Sequence, residues 1–465
     1  MQNNIVIVGG GIAGLLSAYL YALKSDDIIH VVEQSDRVGG LLKCFDYGEF
    51  GKFDYGAHNI LESGIEELDA LLWGLLEEDE WTVSSAINGQ KRALTGTYYN
   101  GKLQEGSPFI DLRTVPNIDE LTIDFLSNLE KNSEVNFSTA YNYAESIFGQ
   151  KITNEHINPI FKSLYGKDAK EMDYMAMFLT PLTRVGLFDI NIMNDLLSTK
   201  LLSRNLAYPN QKTLPSQYFG TKKTHYPKNY GIYRVIEKLE EKLYEHGVKI
   251  HLNSTIDNVK LEDNRVVEVM LSDEKISEIK TMLWSAGLGS LKPLLNLKTK
   301  DIQFEKPPRT AITNILIDKK LTISDMCYIY NYDDNFQTFR IDNYSSYCEN
   351  SQRDGFYPIS VEMLIKDETQ NAEEIREIAL KELEEFGVLE EKTKIGFSKT
   401  EILEYGFPLL SKNNIEIFDN TRKAIESLNV KNLTLVGVLA NKDLFFESDI
   451  KKDLYYKIKE LIDDN

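Results

Sequence analysis

The sequence predicts an α/β protein in which a parallel sheet flanked by helices is combined with an inserted helical region and an antiparallel sheet. Three observations predict this fold class. A β-branched strand at residues 5–8 is followed directly by a glycine-rich turn and a helix. Residues 61–224 contain segments with apolar residues at helical spacing, and residues 301–404 contain segments in which apolar and polar residues alternate.

The overall composition is that of a globular chain with a large core. Of 465 residues, 42% are apolar and 27% are charged, and the formal net charge is −20. Nucleic acids and anionic membranes are bound by clustered Lys and Arg, and the sequence has no basic stretch. We therefore expect no nucleic-acid partner and no anionic-membrane surface. A small-molecule substrate is compatible with this composition, and a homodimer stays open.

Cysteine and histidine usage also limits the function. The three cysteines are far apart and the six histidines form no HExxH pair, so we expect neither a disulfide scaffold nor a metal centre. Glycines interrupt the apolar run at 5–23, which lacks a basic leader and is followed by acidic residues. This pattern indicates a buried strand and helix rather than a signal peptide or a membrane span, and a cytoplasmic location is expected.

The first structural element carries the most specific motif. Residues 9–14 read GGGIAG, which is GxGxxG between a strand and a helix. Gly9 permits the tight turn, Gly11 lets the backbone approach a pyrophosphate, and Gly14 lets the helix pack on the strand. The helix N-terminus offers N–H groups and a positive dipole to phosphates. A Rossmann-type dinucleotide site is therefore predicted.

The second strand, at residues 28–32, ends in Glu33. A carboxylate at this position can accept hydrogen bonds from both ribose hydroxyls of an adenosine. It would repel a 2′-phosphate, so NADP is a poor fit.

The residues after this strand distinguish between cofactors. Residues 33–40 read EQSDRVGG, which fits the pattern E-x-x-x-R-x-G-G. This segment resembles the flavoprotein superfamily of amine oxidases, protoporphyrinogen oxidases and UDP-galactopyranose mutases. The resemblance implies FAD as the cofactor, with Arg37 lending charge to the diphosphate and Gly39 and Gly40 admitting it. The alternative for Arg37 is a solvated loop charge.

Residues 53–58 read FDYGAH and resemble the superfamily's F-D-x-G-P-H segment, which turns over the isoalloxazine ring. Ala57 stands where proline is usual, so the turn is less rigid. The resemblance places His58 at the flavin face and makes it a candidate catalytic residue. The alternative is a partly buried histidine satisfied by backbone groups.

The region from 61 to 224 is expected to be a mostly helical insertion, with helices near residues 65–76 and 118–129. Residues 180–184 read TPLTR and resemble weakly an I-P-V-R element of the mutases. Arg184 is the second candidate catalytic residue, as an anion contact. A surface charge is the alternative.

Later segments resemble the superfamily's return to the cofactor domain. Val259 would contact the adenine through its main chain, and Gly437 ends the last strand. Val438 departs from the superfamily, which has arginine there, so a basic contact is missing or is supplied elsewhere. Asp449 is interpreted as a helix N-cap, and with Ile450 it opens a helix whose N-terminus would stabilise negative charge on the flavin.

The predicted FAD domain is discontinuous and comprises residues 1–60, 225–300 and 405–465. Residues 61–224 are the helical insertion and residues 301–404 the antiparallel-sheet substrate domain. The predicted cofactor contacts share glycine-rich turns, helix starts or strand ends, and they are Gly9, Gly11, Ile12, Ala13, Gly14, Glu33, Gln34, Arg37, Gly39, Gly40, Leu41, Gly56, Ala57, His58, Val259, Gly437, Asp449 and Ile450.

Three functions follow from the resemblance. The first is an FAD-dependent oxidoreductase of the amine oxidase and protoporphyrinogen oxidase type, with hydride transfer from a substrate carbon to flavin N5. The second is a mutase-like flavoenzyme in which reduced flavin acts on a nucleotide sugar without net redox change. The third is a non-enzymatic protein such as the Rab GDP-dissociation inhibitors, against which the intact glycines, Glu33 and Arg37 speak.

Overall fold

The structure is a computed structural model that describes residues 3–84, 94–130, 137–218, 222–272, 274–442, 444 and 446–463. The chain divides into two compact units. The first comprises Met1–Val83, Lys222–Gln303 and Ile415–Asn465, and the second comprises Ser84–Thr221 and Phe304–Asn414. The predicted ranges 61–224 and 301–404 thus lie mostly in the second unit.

Strands within the described residues are numbered in chain order. They are β1 (Asn4–Val8), β2 (Ile28–Val32), β3 (Cys44–Asp46), β4 (Lys52–Asp54), β5 (Ile60–Leu61), β6 (Trp81–Ser84), β7 (Leu94–Tyr99), β8 (Lys102–Glu105), β9 (Thr224–Pro227), β10 (Lys249–His251), β11 (Asn258–Glu262), β12 (Arg265–Met270), β13 (Lys275–Ser277), β14 (Ile279–Trp284), β15 (Arg309–Ile317), β16 (Met326–Asn331), β17 (Thr338–Asn343), β18 (Tyr357–Ile365), β19 (Ile395–Leu403) and β20 (Leu433–Leu435).

The α-helices are numbered in the same way. They are α1 (Ile12–Ala22), α2 (Glu66–Trp73), α3 (Ile118–Leu129), α4 (Ala140–Phe148), α5 (Gln150–Ile152), α6 (Asn158–Tyr165), α7 (Ala176–Leu179), α8 (Ile190–Leu197), α9 (Leu202–Asn205), α10 (Tyr233–Glu245), α11 (Leu288–Leu294), α12 (Tyr344–Tyr347), α13 (Ala372–Glu385), α14 (Lys412–Ser427) and α15 (Glu447–Asp463). None of them, within these described ranges, has the length and apolar character needed to span a membrane.

A five-stranded sheet in the order β10-β2-β1-β14-β20 forms the centre of the first unit, and every neighbouring pair in it is parallel. β1 lies in the middle, and its residues from Ile5 to Val8 are buried. A strand covered on both faces needs continuous apolar residues, which β1 supplies. The predicted parallel sheet is confirmed.

This topology determines where a ligand can bind. Parallel strands have their carboxyl ends at one edge of the sheet, and here β1, β2, β14 and β20 all end there. β2 and β14 flank β1 on opposite sides, so the connections leaving the sheet diverge beside the end of β1. Ligands of open α/β sheets bind in the crevice that this divergence creates.

The second unit is built on a seven-stranded sheet in the order β19-β15-β18-β17-β16-β7-β8. Its β15–β19 part is antiparallel, as expected from the alternating pattern. One face packs on α13 through a buried core that includes Ile315, Ile341, Val361 and Leu383.

The described residues within 61–224 contain the helices α2–α9, as expected for a mostly helical region, but they also contain three complete strands, β6, β7 and β8, which the prediction overlooked. β7 and β8 come from this region and join the same sheet, β7 pairing in parallel with β16. The sequence of β7, LTGTYY, is rich in threonine and tyrosine, which favour strands over helices. The prediction overlooked this local preference.

Candidate dinucleotide site

The glycine turn after β1 is shaped by close backbone contacts. Gly9 has φ +105°, and a Cβ there would lie 2.5 Å from Ser285 Oγ. A Cβ on Gly14 would lie 1.9 Å from the Gly9 carbonyl oxygen. A side chain on Gly14 would displace backbone, and one on Gly9 would combine a positive φ with a clash against the Ser285 hydroxyl, so these two glycines are required for the turn itself.

Gly11 differs from its neighbours because a Cβ there would meet nothing closer than Gly40 Cα at 3.9 Å. Its φ of −75° and ψ of 175° are accessible to any residue. Packing within the protein therefore does not explain a glycine here. The space beside Gly11 instead suits a ligand that approaches the backbone closely.

The start of α1 provides donors beside this space. The first helical hydrogen bond runs from the Leu15 N–H to the Gly11 carbonyl, at 3.0 Å. The N–H groups of Ile12, Ala13 and Gly14 precede it and lie at the positive end of the helix dipole. Ile12 and Ala13 are partly exposed. This arrangement can bind an anionic group such as a phosphate.

Glu33 follows β2 at the same edge of the sheet. Its carboxylate accepts hydrogen bonds from the Gly10 N–H at 2.7 Å and the Ser35 N–H at 2.9 Å. Its own N–H donates to the His251 carbonyl. The side chain is thereby fixed and remains partly exposed. The Ser35 hydroxyl also donates to this carboxylate. A carboxylate has about four acceptor sites, so about one remains for a further donor such as a ribose hydroxyl.

The segment after Glu33 folds back over the glycine turn. The Gly39 N–H donates to the Gly10 carbonyl at 2.7 Å. Gly39 and Gly40 have φ of +120° and +58°, and a Cβ on Gly40 would lie 3.1 Å from Gly11 Cα. Gly40 thus permits a close approach of two backbones, and Gly39 permits a φ that side chains rarely adopt.

The remaining predicted residues of this segment are exposed. Gln34 and Arg37 lie at the surface, and 51% of Leu41 is accessible. The Arg37 guanidinium lies 3.4 Å from the Tyr55 hydroxyl. An exposed arginine beside the glycine turn is in a position to reach an anion bound there.

The predicted segment around His58 lies in the same unit. Gly56 has φ +88°, and His58 Nδ1 lies 3.1 Å from the Gly56 carbonyl oxygen. Ala57 and His58 are both partly buried. The backbone contact agrees with the simpler of the two interpretations of His58 and leaves a catalytic role untested.

Gly437 reaches the glycine turn from the other side of the sheet. It follows β20 with φ +85°, and a Cβ there would lie 3.4 Å from Ala13 Cβ and 3.8 Å from Ser285 Cβ. The neighbouring Val438 is exposed. The structure thus brings Gly437 to the start of α1, although more than 400 residues separate them in the sequence.

Ser285 is a residue of this site that sequence reasoning missed. Its hydroxyl lies 2.9 Å from the Val8 carbonyl, to which it donates, and its own N–H donates to the same oxygen. Ser285 therefore links the end of β14 to the end of β1. The sequence did contain a signal for it, namely a small polar residue directly after a predicted buried strand.

The N-cap interpretation of Asp449 is wrong. α15 begins at Glu447, so Asp449 is its third residue, and the Asp449 N–H already donates to the Phe446 carbonyl at 2.9 Å. Phe446 therefore takes the position before the helix. Asp449 and Ile450 still belong to the first turn, where an acidic side chain interacts favourably with the helix dipole.

The last two predicted residues lie in other elements of the fold. Val259 packs against a core cluster that contains Val8 and Val32, the final residues of β1 and β2. Val259 is in β11, which pairs antiparallel with β12 in a separate three-stranded sheet, Val259 opposite Val269. Arg184 belongs to the second unit, where it is exposed and its guanidinium carbon lies 5.8 Å from the centre of the Phe109 ring.

Comparisons with known proteins agree with this arrangement. Residues 7–73 match the family described as NAD(P)-binding Rossmann-like domain. Among solved structures, reduced UDP-galactopyranose mutase superposes on 100% of this chain and 95% of its own, with a TM-score of 0.74 and 14% identity. The chain has the fold of UDP-galactopyranose mutase.

Two amine oxidases share this fold. Cyclohexylamine oxidase from Brevibacterium oxydans IH-35A superposes with a TM-score of 0.59 and 12% identity, covering 99% of this chain and 100% of its own. A triple mutant of putrescine oxidase with redesigned cofactor binding gives 0.58 and 11%, covering 100% and 99%. No curated protein sequence matches the chain. The predicted fold class is confirmed.

Proposed function

We propose that this protein is an FAD-dependent oxidoreductase. The observation that carries the proposal is the space beside Gly11, which is lined by the N–H groups of Ile12 and Ala13 and lies at the same sheet edge as the fixed carboxylate of Glu33. This set of donors and acceptors fits the diphosphate and the adenosine ribose of a dinucleotide.

Each group would have a distinct part in holding the cofactor. The first-turn N–H groups of α1 would bind the diphosphate, with Arg37 adding charge from the loop. Glu33 would accept hydrogen bonds from the ribose. When bound, FAD supplies hydride acceptance from a substrate carbon. The first turn of α15, with Asp449 and Ile450, would bind near the flavin, as would the segment that carries His58.

Support for FAD rather than a nicotinamide cofactor comes from the E-x-x-x-R-x-G-G pattern and from the neighbours of the fold. Those neighbours include two amine oxidases, one of which had its cofactor binding redesigned. An exposed Glu33 would also repel a 2′-phosphate. Oxidation of a small-molecule substrate in the cytoplasm is the function that we infer.

The test is a flavin assay on purified protein. We expect a yellow protein whose denaturation releases FAD, identified by chromatography against FMN standards. A colourless preparation that does not bind added FAD would contradict both this proposal and any other flavoenzyme function.

A second candidate is a mutase-like enzyme acting on a nucleotide sugar. It is favoured by the similarity over the whole chain to UDP-galactopyranose mutase, with a TM-score of 0.74. The two candidates separate when the bound flavin is reduced with dithionite and UDP-hexoses are added. Isomerised sugar without net oxidation would favour the mutase, whereas flavin reduction by a substrate under anaerobic conditions would favour the oxidoreductase.

A further inference from the structure

The N-terminal turns of α15 contain an ion pair that the predicted cofactor contacts do not use. Lys451 Nζ lies 2.8 Å from Glu447 Oε1, one helical turn away. Lys451 is 1% exposed, which is rare for a lysine. A buried ammonium is tolerated only where it is paired and hydrogen-bonded, so the surroundings of this pair are informative.

Both charges bind the backbone of one residue in β5. Lys451 Nζ donates to the Leu61 carbonyl at 2.6 Å, and the Leu61 N–H donates to Glu447 Oε2 at 3.3 Å. The two side chains thus satisfy the donor and the acceptor of Leu61 together. They therefore make the hydrogen bonds with β5 that a neighbouring strand would make.

We call the Glu447–Lys451 pair, with its two bonds to Leu61, the clamp. The position of β5 explains why it is needed. Among the residues that the structure describes, β5 is an edge strand of the sheet β5-β9-β6 and pairs on its β9 side only. The Glu62 N–H donates to the Lys223 carbonyl on that side, and backbone groups alternate in direction along a strand, so those of Leu61 point the other way. The Glu447–Lys451 pair binds these backbone groups on the side of β5 that faces away from β9.

The clamp joins two segments assigned to the flavin in the proposed function, on which this inference rests. Leu61 lies three residues after His58, and Lys451 directly follows Ile450. Through Leu61, the pair connects β5, which follows the segment from Gly56 to His58, to the start of α15. We propose that Glu447 and Lys451 are positioning residues, which hold the His58 segment and the α15 N-terminus in register around the flavin.

The first experiment substitutes Lys451→Met. It removes the bond to the Leu61 carbonyl and leaves the Glu447 charge without its ammonium. We expect at least a tenfold weaker FAD affinity, a shifted flavin absorption maximum and a changed reduction potential. In the protein without cofactor, amide hydrogen exchange of residues 57–62 should accelerate at least tenfold, which provides a readout independent of flavin.

Lys457→Met is the matched control. Lys457 lies on the same helix, pairs with Asp453 at the same spacing, and donates to a backbone carbonyl, that of Leu435. It makes no bond to Leu61. We expect its flavin spectrum and its reduction potential to be unshifted. The amide exchange rates of residues 57–62 should stay within twofold of those of wild type.

A second variant tests whether misfolding around an unpaired buried charge accounts for the effect of Lys451→Met. Glu447→Leu combined with Lys451→Met removes both charges, so no unpaired charge remains buried, but it also removes both bonds to Leu61. We expect the double variant to show the same changes in flavin affinity, spectrum and reduction potential and the same faster exchange as Lys451→Met. The conservative variant Lys451→Arg keeps a positive charge, so its flavin properties and its exchange should lie between those of Lys451→Met and wild type.

The outcomes distinguish the two proposals. Wild-type protein that binds no FAD would contradict the proposed function. Wild-type protein that binds FAD, together with Lys451→Met and double variants whose affinity, spectrum, potential and exchange match wild type, would overturn the positioning role. A lower melting temperature alone would identify the pair as purely structural and would also overturn it.

Discussion

The hydroxyl of Tyr226 donates a 2.6 Å hydrogen bond to the buried carboxyl group of Asp54, 172 residues earlier in the chain. The other oxygen of Asp54 accepts the Ile232 N–H at 3.0 Å, at the start of α10. Asp54 is fully buried. This one side chain therefore ties the FDYGAH segment to the loop that leads from β9 into α10.

Tyr226→Phe tests this tie. The substitution keeps the ring but leaves a buried acceptor without its donor, which costs about 1–3 kcal/mol of the free energy of unfolding. Urea denaturation measures the loss. Tyr244→Phe is the control, because the Tyr244 hydroxyl bonds Glu240 at an exposed site, and its effect should stay within about 0.5 kcal/mol. Equal effects of the two variants would contradict the tie.

Gly14→Ala should damage the fold. A Cβ there would lie 1.9 Å from the Gly9 carbonyl oxygen, so α1 and the turn would have to separate. We expect a loss of about 3 kcal/mol or more in the free energy of unfolding. Gly289→Ala, in α11, has nothing within 4 Å of the added Cβ and should leave stability unchanged or slightly higher. Chemical denaturation of both variants decides the matter.

Gly11→Val should separate binding from folding. The backbone angles at Gly11 suit valine, and a Cβ there meets Gly40 Cα at an ordinary contact distance of 3.9 Å, so the melting temperature should change by only a few degrees. The added atoms would fill the proposed diphosphate position, and bound FAD should be lost. Flavin content per polypeptide is the measurement, with Gly289→Ala as the retaining control. Undiminished flavin in Gly11→Val would refute the assigned site.

Stability should depend on pH through His30. Burial, and then the neighbouring His251 and Lys249, lower the pKa of His30 from 6.5 to about 4. The unfolded chain therefore binds more protons between these values, so this contribution is complete above pH 6.5 and is lost as the pH falls toward 4.

The matched measurement compares wild type with His30→Gln. His30 lies 3.0 Å from both His251 Nε2 and Asn4 Oδ1, so glutamine keeps a polar group that does not titrate. Between pH 4 and 6.5, wild type should take up as much as about one more proton on unfolding than the variant does. The slope of the unfolding free energy against pH should therefore be smaller in the variant by the corresponding amount. Superimposable slopes would show that His30 does not titrate between these states.

Arg340 and Glu362 form a buried ion pair on the second unit's sheet. The Arg340 guanidinium donates to both Glu362 oxygens, at 2.7 and 2.9 Å, and Glu362 is 4% exposed. Arg340→Met should cost about 3–5 kcal/mol because it leaves a buried carboxylate without its main partner. Adding Glu362→Met should recover part of this loss.

A double-mutant cycle measures the coupling between Arg340 and Glu362. Arg376→Met is the control, since Arg376 pairs with Glu373 at the surface of α13 and should cost about 1 kcal/mol or less. Additive effects of the two core substitutions would argue against the pairing.

Local chemistry explains which parts of the fold were predictable. The β-branched run of β1, the GGGIAG turn and the acidic end of β2 each act over a few residues, so the sequence alone predicts them. β7 and β8 were missed because apolar spacing elsewhere in residues 61–224 indicated helices, while strand pairing with β16 is a contact over more than 200 residues. The N-cap of α15 was placed three residues too late, at Asp449 instead of Phe446, because helix ends are the least well defined part of a sequence-based prediction.

Sequence by itself determined the glycine turn, the acidic ribose candidate and the α/β class, because each depends on backbone constraints and patterns within one short segment. Only the tertiary structure decided that Gly437 and Ser285 meet the start of α1, that Asp54 binds Tyr226, and that Lys451 and Glu447 hold Leu61. These contacts join segments that are between 172 and more than 400 residues apart. No local pattern encodes them, because they arise only when the sheet and its helices pack together.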